Sequence, residues 1–305
     1  MITHNIQDII NTLKNGDVAG IPTETVYGLG ANGLNDKAVQ KIFTVKGRPT
    51  KNPLILHTHS LNEVKKLVKT ICPITQKLAD QYWPGPLTIL FEKSAMVSDL
   101  ITAGSSKVAI RIPNHPLFLA ILKSVDFPIA APSANPYQSI SPTTAQQVDD
   151  YFKEAVPYVL EGGKCDCGLE STIVGIEDEK IIIYRLGGIT IESLKNIYPN
   201  VEVVEKENTK IVTSGMDLKH YAPKTKLLVV DNVINYQAKH PHLNIGILSF
   251  DHTDLNLVAK EFYYKLYQLD HQGFDLIITE YFDDRAIGKA LNDKLQRASY
   301  TERES

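Results

Sequence analysis

Between residues 18 and 185, short apolar runs alternate with amphipathic stretches of helical period, and this limits the chain to a layered α/β fold. Residues 18–21, closed by Pro22, and residues 87–91, 108–112, 127–131 and 158–160 read as buried strands. Ile6, Ile9, Ile10 and Leu13 share one face of a helix that stops before Gly16, and Ala38, Val39, Ile42 and Phe43 mark a second. Ser60 with Glu63 three residues on predicts a capping box before Val64, Leu67 and Val68. Residues 116–123 and 142–152 are also helical in pattern. Residues 171–176 and 180–185 flank Glu177-Asp178-Glu179 as a hairpin, so the sheet should be mixed rather than purely parallel.

Residues 205–226 break the pattern: they are polar, contain Gly215 and Pro223, and follow neither period. Beyond them, strand-like residues 227–230, 244–250 and 274–279 and helical residues 258–269 and 286–298 predict a second, smaller α/β domain. The expected division is a first domain at 1–205, a linker at 206–225 and an accessory domain at 226–305, which suits a chain of 305 residues.

Apolar residues make up 43% of the chain and charged residues 22%, as in a folded globular protein. The net charge of −3 argues against attachment to nucleic acid by bulk electrostatics. No apolar run approaches the ~18 residues of a membrane span, and Met1-Ile2-Thr3-His4-Asn5 opens no secretory signal. The cysteines, Cys72, Cys165 and Cys167, are too few for a disulfide framework and fit the cytoplasm. Cys165-Asp166-Cys167 has no second ligand pair at zinc spacing, so no metal site is expected.

The basic residues are 26 Lys but only six Arg, three of which, Arg48, Arg111 and Arg185, precede residue 200. Where lysine supplies solubility, an arginine beside a strand end or a Pro/Gly turn suggests a planar fork gripping carboxylate or phosphate. Pro22-Thr23-Glu24-Thr25-Val26-Tyr27-Gly28-Leu29-Gly30 crowds hydroxyls, a carboxylate and glycines behind a strand, although turns use the same residues. Neither a dinucleotide fingerprint nor a phosphate loop is present. Ser133-Ala134-Asn135 follows a strand, and Ser141-Pro142 reads as an N-cap with Pro at the first helical position, a place where phosphate can also bind. His57 fits a general base, a ligand contact or a satisfied core histidine.

Pro22 to Asn32, Lys46-Gly47-Arg48 with Asn52-Pro53-Leu54-Ile55, Trp83-Pro84-Gly85-Pro86-Leu87-Thr88, Ser133-Ala134-Asn135 and Gly168-Leu169-Glu170-Ser171-Thr172 together resemble the YrdC-like family. Ser214-Gly215-Met216 and His220-Tyr221-Ala222-Pro223 resemble the linker of its long, two-domain form. The resemblance implies a YrdC-like twisted mixed sheet joined to a smaller Rossmann-like domain. It also implies a nucleotidyltransferase that condenses L-threonine, bicarbonate and ATP into threonylcarbamoyl-adenylate and pyrophosphate, with Mg²⁺ accompanying ATP. The product would pass to a downstream transferase that modifies a tRNA adenosine.

By the same resemblance, threonine would contact Thr25, His57, Arg111, the backbone at Ala131, and Ser171. ATP would contact Arg48, Asn52, Lys107, Ser133, Ser141, Arg185 and, from the linker, Tyr221, with Lys46 at the phosphates and Lys46 and Arg48 as the catalytic pair. Two stretches depart from the family: Tyr137-Gln138 replaces the usual Ser-Gly, and the linker lacks the usual Pro before Gly215 and has Asp217 where a basic residue is common. The rival reading is a double-stranded RNA-binding module, disfavoured by the negative charge and scarce arginine, so direct tRNA binding should be weak or absent.

Overall fold

The computed structural model describes residues 1–198, 202–205 and 220–300; most of the expected linker, including Ser214-Gly215-Met216 and Asp217, lies outside the described residues. The larger sheet contains β1 (Ile2–Thr3), β2 (Ala19–Ile21), β3 (Gly28–Asn32), β4 (Ile55–His57), β5 (Leu87–Glu92), β6 (Lys107–Arg111), β7 (Ile129–Ala130), β8 (Val159–Leu160), β9 (Thr172–Glu177), β10 (Lys180–Arg185) and β11 (Val203–Glu205). Their spatial order is β1-β8-β2-β3-β7-β4-β6-β5-β9-β10-β11. The pairs β4–β6 and β5–β9 are parallel, whereas β2–β3, β5–β6 and β9–β10 are antiparallel, so the sheet is mixed, as the interleaved pattern requires. A separate sheet of β12 (Lys226–Val229), β13 (Ile245–Ile247) and β14 (Leu276–Thr279) is wholly parallel in the order β12-β14-β13.

The helices follow their apolar stripes and caps. Ile6–Lys14 buries Ile9, Ile10 and Leu13, with Asn5 accepting from the Gln7 amide at its start. Asp36–Lys46 ends at Gly47, whose φ of 63° turns the chain so that Lys46 and Arg48 are both buried. At Leu61–Leu67, Ser60 accepts from the Glu63 amide, but the Glu63 carboxylate accepts from Lys66 Nζ, so the capping box forms on one side only.

A full box instead starts Ala145–Phe152, where Thr144 accepts from the Gln147 amide and Gln147 reaches back. This corrects the N-cap expected at Ser141, which lies three residues upstream and donates to Glu170 Oε1 at 2.6 Å. Thr144 wins because Gln147 sits three residues on and accepts from the amides of both Thr143 and Thr144.

Two apolar bodies position the site. One packs Val39, Ile42 and Phe43 against Leu54, Leu56, Ile89, Val108 and Ile110 beneath the large sheet. The other draws Val26, Ile140 and Leu169 of the first region into a cluster with Tyr221, Phe262, Tyr263, Leu266 and Leu291. Each such side chain contributes about 1.5–3 kcal/mol when fully buried, so the C-terminal region is held onto the first by a shared core. Among the described residues no helix is long and apolar enough to cross a membrane.

Candidate functional site

The site begins where β4 and β6 end. The two strands are parallel and in register, with His57 opposite Arg111, so side chains 54 residues apart in the chain stand side by side at the carboxyl edge of the sheet. Such an edge is the usual ligand crevice of an α/β sheet. β7 runs antiparallel to β4, so Ala131 at its exit lies opposite Ile55, whose carbonyl accepts from the Ala131 amide, and both residues line the same cavity as His57. From the other side, β2 ends at Ile21 and the chain turns through Thr23, whose Oγ1 accepts from the Thr25 and Val26 amides and donates to the Val26 carbonyl. On the return along β3, a Cβ at Gly30 would lie 2.4 Å from Ile21 Cδ1 and 3.1 Å from Ile129 Cγ2, so glycine lets these two buried side chains pack against the strand without shifting.

These elements surround a cavity with about 490 Å³ of empty space, open mouth included. Its walls include Thr25, His57, Arg111, Ala131, Ser133, Ser171, Arg185 and Tyr221, all anticipated from the sequence. Arg111 donates through Nε to the Gly85 carbonyl at 3.1 Å and through Nη1 to Thr25 Oγ1 at 2.9 Å. Its Nη2 stands 2.7 Å from Glu24 Oε1 as an ion pair that lacks the alignment of a hydrogen bond. Arg185 donates through Nε and Nη2 to the Ser171 carbonyl and through Nη2 to Ser171 Oγ. Thr88 Oγ1 lies 2.7 Å from the same Ser171 hydroxyl.

Four further anticipated residues stand behind the wall. Lys46 Nζ donates to the carbonyls of Ser133, at 2.6 Å, and Asn135, tying the Ser-Ala-Asn turn to the end of its helix. Arg48 donates to the carbonyls of Asn52 and Pro53, and Asn52 Nδ2 to Tyr137 Oη at 2.8 Å, so one departure from the family pattern is a structural partner here. Gln138, the second residue of that same departure, has φ 69°, and its carbonyl accepts from the Ala222 amide. Ser141 reaches the cavity through Glu170. Lys107 is not brought to the cavity: it lies at the far end of β6 and pairs with Glu177 at 2.9 Å. Four residues along one strand preserve the face but separate Lys107 from Arg111 by about 13 Å.

Burial and the surrounding cations set the electrostatics of the cavity. Burial, and then the neighbouring Arg111, push the His57 imidazole down to about 3, so it is neutral. Burial and Arg48 hold the Lys46 ammonium well below its usual range. The His220 imidazole is lowered by burial and then by Arg48, Lys294, Lys46 and Arg185. Among the described residues, His57 Nδ1, His220 Nδ1 and Tyr221 Oη are buried with no hydrogen-bond partner. Polar atoms in that state each cost about 1–3 kcal/mol, and all three belong to residues that line this cavity.

Sequence reasoning assigned no role to Glu24, Glu170 or His220, although each sits inside a quoted motif. Glu170 and His220 line the cavity, and Glu24 faces Arg111. The carboxylate between the two threonines was the available signal. His220 stacks on Tyr221 with ring centres 4.1 Å apart. Its amide donates to the Arg297 carbonyl and that of Ala222 to the Gln138 carbonyl, so this short segment is fastened to both regions.

A family model described as Telomere recombination matches residues 11–187, and one described as Threonylcarbamoyl-AMP synthase, C-terminal domain, matches residues 189–299. The chain is 32% identical to the threonylcarbamoyl-AMP synthase of Pyrococcus abyssi (strain GE5 / Orsay), with 94% of this chain and 92% of that one covered. It is 34% identical to the threonylcarbamoyl-AMP synthase of Bacillus subtilis (strain 168), covering 94% and 90%. Its structure is similar to the crystal structure of P. abyssi Sua5 complexed with L-threonine, with a TM-score of 0.89 and 31% identity over 96% of this chain and 94% of that one.

Proposed function

The chain belongs to the threonylcarbamoyl-AMP synthase family and is an enzyme that makes threonylcarbamoyl-AMP, and on that premise we propose that the cavity between β4, β6 and the Tyr221 segment is where threonine, bicarbonate and ATP react. The observation that carries this placement is the convergence of Arg111, Arg185 and three unpartnered buried polar atoms on one enclosed space. Two guanidinium groups, together with buried donors and acceptors that lack protein partners, fit an anionic, hydrogen-bonding ligand.

Threonine fits the Arg111 end. The Nη1 and Nη2 edge of Arg111 retains N–H groups for a carboxylate, while Thr25, the neutral His57 and Ser171 offer hydrogen bonds to the rest of the amino acid. ATP fits the side of the cavity lined by Arg185, Ser133 and Tyr221, with Lys46, Arg48 and Ser141 directly behind that lining, from where a bound phosphate could draw the two cations in. An arriving phosphate would counter both the burial and the Arg48 repulsion that lower the Lys46 ammonium, so nucleotide binding favours its charged form.

The chemistry requires no enzyme nucleophile. The threonine amine adds to bicarbonate or CO₂ to give a carbamate, with water as the other product when bicarbonate is used. A carbamate oxygen then attacks the α-phosphate in line with departing pyrophosphate. The chain's part is to position the reactants, neutralise the developing charge and exclude water, since carbamates lose CO₂ and mixed anhydrides hydrolyse. His220 and Tyr221, both almost wholly buried, form the wall that would exclude it.

Mg²⁺ enters this reading as part of the substrate, MgATP. No group of three or more His, Cys, Asp or Glu side chains is gathered among the described residues, so phosphate oxygens and water would be its main ligands. The adenylate would then serve a cytoplasmic transferase that places the threonylcarbamoyl group on a tRNA adenosine. Incubating the chain with threonine, bicarbonate and MgATP and identifying the adenylate by mass spectrometry tests the reading. Recovery of unreacted ATP alone would overturn it.

A further inference from the structure

The carboxylate of Glu170 joins two parts of the molecule that meet nowhere near each other in sequence. Oε1 accepts from Ser141 Oγ at 2.6 Å, and Oε2 accepts from Tyr263 Oη at 3.0 Å. Glu170 lines the cavity, Ser141 lies on its proposed nucleotide side, and Tyr263 belongs to the helix Leu255–Asp270 of the C-terminal region. All three side chains are buried. From this relay we propose that Tyr263 is a positioning residue of the synthase site, its hydroxyl fixing the Glu170 carboxylate that in turn orients Ser141 toward the nucleotide.

The contact is held from several directions. The helix follows residues 164–170 closely: Lys260 Nζ lies 3.0 Å from Asp166 Oδ1 and Lys164 Nζ 2.6 Å from Glu261 Oε2. Gly168 makes this approach possible. Its φ is +73°, and a Cβ there would stand 2.3 Å from the Ala259 carbonyl oxygen and 2.5 Å from Lys260 Cα. The helix backbone therefore rests on the cavity wall two residues before Glu170.

On the same side, Lys294 Nζ donates to the Leu186 carbonyl, next to Arg185. Burial and then the Glu170 charge push the Tyr263 hydroxyl well above its usual range, so it stays protonated and donates. The threonine side has its own support, because Ser171 Oγ is held by Thr88 and Arg185 without Tyr263. The C-terminal region thereby acts on the nucleotide half of the pocket.

The inference rests on the synthase reading, and the test separates the two. Full-length wild type, Tyr263→Phe, Glu170→Gln and the double variant are compared for pyrophosphate release, with ATP and threonine varied separately. Tyr267→Phe serves as the control, because Tyr267 lies on the same helix as Tyr263 but its Oη donates to Asp150 Oδ2, at 3.0 Å, and not to Glu170. Tyr263→Phe keeps the ring packing and should lower kcat/KM for ATP about tenfold, as loss of a hydrogen bond to a charged group implies. The KM for threonine should change less than about twofold, and Tyr263→Phe should add nothing to Glu170→Gln, since both break one relay.

An inactive wild type contradicts the synthase reading itself. With an active wild type, an unchanged Tyr263→Phe, an equal loss in Tyr267→Phe, or fully additive losses in the double variant overturns the positioning role.

Discussion

Arg111 Nη2 and Glu24 Oε1 stand 2.7 Å apart with both side chains almost wholly buried, so the proposed carboxylate receptor of the cavity is already half-neutralised. A lysine at position 111 could keep the charge opposite Glu24 but could not also reach the Gly85 carbonyl, Thr25 and a forked substrate carboxylate. Arg111→Lys should therefore weaken threonine binding about tenfold or more, given about 1.5–3 kcal/mol for a charge-assisted hydrogen bond, and leave ATP within about twofold. Arg48→Ala should do the reverse. Calorimetric titration of each ligand decides it: if both variants lose affinity for the same ligand alone, the pocket is wrongly divided.

Tyr221 offers a test in which stability and binding should move in opposite directions. Its hydroxyl is buried with no partner among the described residues. Tyr221→Phe removes an unsatisfied polar atom while keeping the ring stacked on His220, so the ligand-free protein should gain about 1 kcal/mol of stability. Affinity for ATP should fall. Denaturant unfolding and nucleotide titration on the same variant check both signs, and a destabilised variant with unchanged affinity would make Tyr221 an ordinary core residue.

His57 should make folding sensitive to acid. Its imidazole is held down to about 3 in the folded chain, by burial first and Arg111 second, against an ordinary value of 6.5. Between those values the unfolded state binds the extra proton, so stability is complete above pH ~6.5 and falls as pH drops toward ~3, by up to ~1.4 kcal/mol per pH unit. His57→Gln should remove one proton's worth of that slope between pH 6 and 4. Parallel slopes for wild type and variant would show that His57 is not held neutral by the fold.

The legible parts of this molecule are those set by local pattern. The helices Ile6–Lys14 and Pro116–Lys123 and the hairpin of β9 and β10 follow from apolar period and turn residues, and the scarce arginines pointed to Arg48, Arg111 and Arg185, all buried. β3 and β4 were not legible, because Gly28–Asn32 reads as turn chemistry and Ile55–His57 is only three residues long. Ser141 was misread as a cap because Gln147, which selects Thr144, lies beyond the local Ser-Pro signal.

Long-range register was invisible for the same reason. Nothing local tells that His57 faces Arg111 across parallel strands, that Lys107 falls at the wrong end of β6, or that Tyr263 reaches Glu170 from 93 residues away. Those placements depend on crossovers and on Gly168 allowing a helix to lie against the wall.

The most direct measurement of the central claim is pyrophosphate release from ATP with threonine and bicarbonate each omitted in turn. The carbamate nucleophile exists only after the threonine amine has been carboxylated, so release should require both together and fall to background when either is left out. Equal release without threonine would contradict synthesis of threonylcarbamoyl-AMP at this site.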